Sequence, residues 1–193
     1  MTPDLARLFE RAVDQFGQRI RLIGDKWQAT TPDDDWDVRA LVNHVLSENL
    51  WAPPLLGGKT VSDVGDRFDG DRLGDDPLVA WAEAARRSVA AVGEEGALAR
   101  TVHVSFGDIP GYEYVSQLVS DHVIHGWDLA RAIGTDERLD SELVEFTHGY
   151  LAPRADEWRS AGGFGPKVEL PPEADIQAQL LALSGRDPRR GPA

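Results

Sequence analysis

One segment of the sequence concentrates the side chains that could carry chemistry, Ser120-Asp-His-Val-Ile-His-Gly-Trp-Asp-Leu-Ala-Arg131. Asp121 and His125 are four residues apart, so on a helix their side chains lie one above the other on the same face. A carboxylate oxygen and an imidazole nitrogen held in this way can bind one metal ion, and this pair of donors suits zinc, nickel, iron or manganese. The spacing therefore predicts part of a metal site on this helix.

A metal site in a helical bundle takes further ligands from a facing helix. His44 lies on the flank of the apolar stripe of an earlier helix, just as Asp121 and His125 lie on the flank of theirs. We therefore predict that His44, Asp121 and His125 bind one divalent metal. Glu48 follows His44 by one helical turn and is the candidate for a catalytic base beside the site.

The same residues also have ordinary structural interpretations. An Asp-x-x-x-His pair on a helix is commonly a surface ion pair or a hydrogen-bonded couple. His122 is nearer the centre of the apolar stripe, which favours a hydrogen-bonded core histidine, although it could exchange roles with His125. His103 and His148 lie off the apolar faces of their elements and are predicted to be bystanders.

Other conspicuous side chains are predicted to have no catalytic role. The tryptophans Trp36, Trp81 and Trp127 are expected in the core or at its rim, where this residue type is common. Asp128 and Arg131 are interpreted as partners on the surface.

The elements that must position these residues are predicted to be helices, because apolar residues recur at helical spacing. The predicted helices span about residues 4–24, 36–50, 77–93, 112–133, 141–160 and 175–183. Thr31, Pro32 and the aspartates after them form a helix-entry signal for the second helix. We expect Pro53-Pro54 to end or kink that helix.

The connections between these helices differ in length. Residues 57–76 are rich in glycine and aspartate and predict a loop with room for one short helical turn. Residues 101–106 alternate between polar and apolar side chains, which predicts a short strand or hairpin arm. Gly134 is predicted to cap the fourth helix at its C-terminus.

This pattern predicts an all-α fold, a four-helix bundle formed by the first four long helices. One or two C-terminal helices would pack outside the bundle, together with the short β arm. The length of 193 residues suits one domain, which we place at residues 1–185, followed by a flexible tail at residues 186–193.

The composition excludes several classes of protein. The chain has no cysteine, which excludes disulfides, a cysteine nucleophile and a thiolate metal site, so any thiol must be supplied as a ligand. A net charge of −13 argues against nucleic-acid binding. No apolar run is long enough to cross a membrane and nothing resembles a signal peptide, so we expect a cytoplasmic protein.

Two segments together resemble a known family, and the ending from Gly162 to Pro188 fits the same group. They are Thr31-Pro-Asp-Asp-Asp-Trp-Asp-Val-Arg-Ala-Leu-Val-Asn-His44 and Asp121-His-Val-Ile-His-Gly-Trp-Asp-Leu-Ala-Arg-Ala132. They resemble the DinB-like metal-binding proteins, and more closely the metal-binding domain of mycothiol-dependent maleylpyruvate isomerase and its actinobacterial relatives. The resemblance implies a four-helix bundle that holds one divalent metal, often zinc, through residues matching His44, Asp121 and His125.

The chain also departs from the isomerase. The isomerase has a glutamate where Asp121 stands, and the shorter aspartate would draw its helix closer to the metal or change the preferred metal. The isomerase carries an additional C-terminal domain that we expect this chain to lack. The resemblance therefore implies the metal site rather than the isomerase reaction itself.

Three functions fit these residues. The resemblance implies a metal-dependent S-transferase or isomerase-like enzyme that uses a low-molecular-weight thiol such as mycothiol or bacillithiol and an electrophilic small molecule. The alternatives are a noncatalytic metal- or ligand-binding accessory protein and a metal-dependent hydrolase with Glu48 as its base. No nucleic-acid or membrane partner is predicted, and a homodimer is compatible with the sequence.

Overall fold

Helices make up most of residues 4–33 and 36–190, the part of the chain that the computed structural model describes. Strands β1 (Thr101–Val104) and β2 (Gly107–Pro110) form an antiparallel hairpin in which Val102 pairs with Ile109. In chain order the α-helices are α1 (Leu5–Ile20), α2 (Val38–Leu56), α3 (Val61–Val64), α4 (Pro77–Val92), α5 (Gly111–Ile133), α6 (Ser141–Leu151), α7 (Ala155–Ser160) and α8 (Ile176–Leu183). The predicted all-α fold with a short β arm is confirmed.

The four long helices α1, α2, α4 and α5 form the bundle, as predicted. α1 packs against α4 and α5, and α2 packs against the same two helices from the other side. Leu8, Phe9 and Phe16 of α1 are fully buried, because its apolar residues recur on one face and turn towards the core. The bundle therefore places α2 and α5, the helices of the predicted metal ligands, side by side.

α5 is the central helix of the protein. The bundle covers one of its sides and α6 packs against it as well, while α8 packs on α6. Ser116, His122 and Asp128 are consequently buried on it together with its apolar side chains. It ends at Gly134, which has a φ of 69° in the left-handed region, so the predicted glycine cap is confirmed.

α2 differs from its prediction at both ends. Asp37 caps its N-terminus by accepting a hydrogen bond of 2.8 Å from the backbone N–H of Ala40. Asp34 and Asp35, which belong to the predicted helix-entry signal, lie outside the described residues. Pro53-Pro54 are expected to end or kink the helix, and it does not end at them, because α2 continues to Leu56. The prolines remove donors only from the last turn, and Leu55 and Leu56 are buried there.

The predicted fifth helix is interrupted. α6 ends at Leu151, a 3-10 turn spans Ala152–Arg154, and α7 follows. Pro153 lies in this turn, where it lacks a backbone N–H and its ring would clash with the carbonyl one turn earlier. In the predicted loop after α2, the short helical turn is α3.

The segment after α8 returns to α5. Arg131 of α5 donates hydrogen bonds to the backbone carbonyls of Asp187, Pro188 and Arg190 at 2.8–3.1 Å. Residues 186–193 are predicted to form a flexible tail; residues 187, 188 and 190 of this segment contact α5 here, and residues 191–193 lie outside the described part. None of the described helices has the length and apolar character needed to span a membrane.

Candidate metal centre

His44 of α2 meets Asp121 and His125 of α5 where these two helices face each other. Each residue offers one ligand atom, and the three atoms lie within 4.8 Å of one another. Nε2 of His44 is 3.3 Å from Oδ2 of Asp121, and Nε2 of His125 is 3.4 Å from Oδ1. The structure thus brings together the three residues that the sequence analysis selected.

The spacing of these atoms is compatible with a shared metal ion. Separations of 3.3 and 3.4 Å are longer than usual N–H···O hydrogen bonds. Two ligands of a tetrahedral zinc ion, with bonds of about 2.0–2.1 Å, lie about 3.4 Å apart. Among the described residues, Oδ2 of Asp121 is buried without a hydrogen-bond partner. A cation between the imidazoles would satisfy that oxygen, so the donors fit a divalent metal.

Asp128, almost one turn beyond His125 on α5, orients the imidazole of His125. Nδ1 of His125 donates a hydrogen bond to Oδ2 of Asp128 at 3.0 Å, which leaves Nε2 facing Asp121. The guanidinium of Arg186 in turn donates to Oδ2 of Asp128 at 2.9 Å. A carboxylate on the second ring nitrogen is a common feature of metal-binding histidines.

The interpretation of Asp128 and Arg131 as surface partners is wrong. The side chain of Asp128 has no exposed surface, and that of Arg131 is 8% exposed. Arg131 pairs with Glu137 and stacks on the ring of Trp127, with its guanidinium carbon 4.2 Å from the ring centroid. The helical pattern of α5 alone could not show that Asp128 and Arg131 are buried, because the segment that covers them follows α8 and is distant in the sequence.

Trp36 covers the two imidazoles. Its ring centroid lies 4.7 Å from that of His44 and 5.5 Å from that of His125. The hydroxyl of Thr31 donates to the backbone carbonyl of Trp36 at 2.9 Å and holds this segment in place. The sequence predicts Trp36 as a core or rim residue and not in this role, although Trp36 directly precedes the N-cap of the helix that carries His44.

Charge in the centre is balanced between carboxylates and imidazoles. Burial alone would raise the pKa of Asp121, but the facing imidazoles of His44 and His125 hold it well below its ordinary value. Burial alone would lower the pKa of His125, whereas Asp121 and then Asp128 raise it to about 10. A metal ion would replace protons on these imidazoles, so its affinity must depend on pH.

Glu48 lies one turn after His44 and lines the same cavity as His44 and Asp121. Burial, and next the negative charge of Asp121, raise the pKa of its carboxyl to about 7. A carboxyl with such a pKa can accept and release a proton at neutral pH. Glu48 therefore stays the candidate base beside the site.

His122 is a hydrogen-bonded core histidine, as one of its two interpretations predicts. Its Nδ1 donates to the backbone carbonyl of Leu118 at 2.7 Å, and its Nε2 accepts from the amide of Asn49 at 2.9 Å. Oδ1 of Asn49 accepts from the hydroxyl of Ser88 at 2.6 Å. Because both ring nitrogens have partners, His122 does not replace His125 in this arrangement. Burial lowers its pKa to about 4.

The two remaining histidines lie elsewhere. His103 pairs with Asp108 across the hairpin at 2.7 Å, and His148 is half-buried on α6. Within the described residues, one cluster of three or more potential metal-ligating side chains is present, formed by His44, Asp121 and His125.

A cavity of about 420 Å³ opens beside the ligands. Its walls come from α2, α5, the turn of the β-hairpin and the segments around α7, and they are mostly apolar. The carboxylates of Glu48 and Asp121 and the imidazole of His44 also line it. Its volume suits a small molecule. The arrangement can therefore hold such a molecule next to the three metal-ligating side chains.

The sequence is similar to a protein family and to proteins from two strains of one bacterium. The family model described as the mycothiol maleylpyruvate isomerase N-terminal domain matches residues 7–130, a range that includes all three candidate ligands. Uncharacterized proteins from two strains of Mycobacterium tuberculosis are each 28% identical over 188 residues, covering 93% of this chain and 96% of the relative. No solved structure matches the chain.

Proposed function

The chain belongs to the family of the mycothiol maleylpyruvate isomerase N-terminal domain, and from that premise we propose that it is a metal-dependent thiol S-transferase. His44, Asp121 and His125 would hold one divalent metal, with zinc as the first choice and nickel, iron or manganese as alternatives. The cosubstrate would be a low-molecular-weight thiol of the mycothiol type, and the acceptor an electrophilic small molecule.

The observation that carries this proposal is the set of three converging ligand atoms within 4.8 Å of one another. Three protein ligands leave one position of a tetrahedral site open, which is typical of catalytic rather than structural zinc. The cavity of about 420 Å³ adjoins His44 and Asp121, so a small molecule has room beside that position.

A cation bound here would lower the pKa of an incoming thiol and so favour the reactive thiolate near neutral pH. The residues of the chain would supply the shielding from water and the proton transfer. Trp36 shields the imidazoles from water on one side, and Glu48 can take the proton that the thiol loses. With an activated alkene as acceptor, the sulfur bonds to one carbon of the double bond, and Glu48 returns the proton to the other.

The test begins with metal content. Protein purified without a nickel column should contain about one divalent ion per chain by elemental analysis, because one cluster of three ligands is found among the described residues. Asp121→Ala should abolish tight binding, whereas Asp121→Glu should keep the metal because it retains a carboxylate on the same helix. His103→Ala is the matched control and should bind metal normally. Protein with neither bound metal nor a thermal shift on adding any divalent ion would contradict the proposal.

Catalysis is tested separately. Metal-loaded protein with mycothiol and 1-chloro-2,4-dinitrobenzene should form the S-conjugate faster than the reagents alone, and a chelator or Asp121→Ala should remove the acceleration. The rate should rise with pH towards a midpoint below the value of about 8.5 for a free thiol. Metal binding without acceleration for any of a panel of thiols and electrophiles would favour the noncatalytic metal-binding protein.

A further inference from the structure

We propose that the electrophile carries an aromatic group, which binds against an aromatic rim of the cavity beside the metal ligands. The rim consists of Trp51, Phe106, Trp158 and Phe164, all of which line that cavity. This inference rests on the proposed function and deepens it, because it assigns a chemical class to the part of the electrophile that does not react.

The rim residues keep apolar surface that the fold does not bury. The aromatic side chains of the core, such as Phe9, Phe16 and Trp127, are fully buried. In contrast, Phe106 at the hairpin turn is 69% exposed, and the other rim residues are partly exposed. Exposed apolar surface gathered around a cavity is typical of a ligand site, because a ligand that covers this surface removes it from water.

The local backbone brings Trp158 and Phe164 together. α7 ends at Ser160, and Gly162 follows with a φ of 83° in the left-handed region, so the chain turns back. The backbone N–H of Gly163 donates to the carbonyl of Trp158 at 2.9 Å, and a Cβ at Gly163 would lie 3.1 Å from the Trp158 ring. The ring of Phe164 then stacks on that of Trp158, with centroids 5.7 Å apart and an interplanar angle of 24°. The two rings therefore form one wall of the cavity.

Arg159 anchors this wall to the rest of the protein. Its guanidinium donates to the backbone carbonyls of Gly165 at 3.1 Å and of Leu183 in α8 at 2.9 Å. A wall that is ordered before the ligand arrives reduces the entropy lost on binding. Residues 158–164 lie outside the range 7–130 that matches the family model, so membership of the family does not by itself predict this wall.

Trp51 connects the rim with the metal ligands. It follows His44 by seven residues, or two turns of α2, which places both on one face of the helix about 10 Å apart along its axis. The ring of Phe68 packs against that of Trp51 in a T-shaped arrangement, with centroids 5.6 Å apart. A small electrophile with its aromatic ring at the rim is therefore long enough to place its reacting carbon near the metal ligands.

An aromatic group fits this rim better than a polyol does. Aromatic rings attract one another, in offset stacks or edge to face, beyond the effect of burial alone. The sugar and inositol rings of a mycothiol-type thiol bear hydroxyls that need hydrogen-bond partners, which the side chains of Phe106 and Phe164 do not offer. The rim is therefore assigned to the electrophile rather than to the thiol.

Two unreactive, uncharged probes of similar size, anisole and methoxycyclohexane, test this assignment without thiol. In NMR titrations of ¹⁵N-labelled protein, anisole should bind at least about three times more tightly than methoxycyclohexane, because only anisole can stack on the rim. It should shift the indole N–H signal of Trp158, whereas that of the buried Trp127 should stay in place. The preference should be the same in metal-free and zinc-loaded protein, since neither probe carries a charge.

Three results would overturn the proposal: equal or weaker binding of anisole, no binding of either probe, or a preference that requires zinc. A third probe, methyl α-glucoside, represents the sugar of the thiol and should bind more weakly than anisole. If the glucoside binds as tightly as anisole, the rim belongs to the thiol and the proposal is wrong.

Variants then test the assigned contacts. Phe106→Leu and Trp158→Leu should each weaken anisole binding by about 2- to 10-fold, the usual effect of one aromatic contact, with little change for methoxycyclohexane and none in zinc content. Phe106→Leu should not impair folding, because Phe106 is largely exposed. Trp27→Leu is the matched control, since Trp27 is also partly exposed but does not line the cavity. If neither rim variant weakens anisole binding, the proposal is overturned.

The two proposals fail in different ways. Because the probe titration uses no thiol and no reaction, anisole binding at the rim without S-conjugation would support the aromatic group and contradict only the S-transferase. S-conjugation by a protein that binds anisole no better than methoxycyclohexane would support the S-transferase and overturn the aromatic group.

Discussion

The orientation of a single imidazole decides whether the candidate site can hold a metal. His125 presents Nε2 to Asp121 because its Nδ1–H is bound by the carboxylate of Asp128. The same contact makes the imidazole a stronger ligand, since the carboxylate offsets the positive charge that develops on the ring. Asp128 therefore acts on the site without being a candidate ligand.

Asp128→Asn should lower zinc affinity by about 10- to 100-fold, the usual effect of removing such a contact. The amide keeps the volume of the carboxylate but not its charge, so it holds the imidazole less firmly and leaves it less basic. Competition with a chromogenic chelator measures the affinity, and the visible spectrum of the cobalt-loaded protein reports the ligand geometry. An affinity equal to that of the unchanged protein would show that Asp128 does not support His125.

At the scale of elements, α2 and α5 are joined by a polar network as well as by the candidate metal ligands. His122 of α5, Asn49 of α2 and Ser88 of α4 are buried and hydrogen-bonded in series. The network requires a neutral imidazole at His122, because Nε2 accepts the hydrogen bond from Asn49. Protonation of His122 would leave two donors facing each other in the core.

This arrangement makes bundle stability depend on pH. Burial lowers the pKa of His122 from 6.5 to about 4 in the folded protein. Its neutral form is therefore favourable above the unfolded pKa, and stability is lost as the pH falls from about 6.5 towards about 4, because the unfolded chain takes up a proton first. At about pH 5 the expected loss is about 2 kcal/mol.

Urea unfolding of metal-free protein at neutral and mildly acidic pH measures this loss. His122→Gln should reduce the loss of unfolding free energy at about pH 5 by about 2 kcal/mol, because glutamine does not titrate while the other groups still do. His148→Gln, on the outer helix α6, serves as control and should keep the original slope. Equal slopes for the unchanged protein and His122→Gln would refute the assignment.

At the scale of the whole molecule, the C-terminal segment completes the surroundings of the metal centre. Arg186 contacts Asp128 at 2.9 Å and Asp33 at 3.4 Å, so it connects the segment after α8 with α5 and with the segment before α2. The side chain of Arg186 is 11% exposed. The support of His125 thus extends from the bundle to residues near the end of the chain.

Arg186→Met should weaken zinc binding several-fold and lower the free energy of unfolding by about 1–3 kcal/mol, because it removes charge-assisted hydrogen bonds from a buried carboxylate. Arg189→Met is the matched control, since Arg189 is half-exposed and pairs with Asp187. Chemical unfolding and chelator competition measure the two effects. If both variants behave alike, the C-terminal segment does not support the metal centre.

Much of this organisation follows from local sequence. The apolar stripe of α1, the proline at the first position of α4 and the glycine that caps α5 lie in the elements they specify, so helical periodicity and capping chemistry predict them directly. The i, i+4 spacing of Asp121 and His125 likewise fixes their shared face on any helix. Their assignment with His44 as a metal site draws on the family resemblance, and metal binding stays a prediction.

Other features depend on residues that are distant in the sequence. The burial of Asp128 requires Arg186, which follows it by 58 positions, to return across α5. The contact of Trp36 with both imidazoles, and the cavity between α2, α5 and the hairpin turn, likewise need several elements at once. Periodicity describes which face of a helix is apolar but not what covers the opposite face. The sequence by itself therefore determined the helices and the candidate metal ligands, whereas only the packing of distant segments decided how those residues are oriented and what cavity lies beside them.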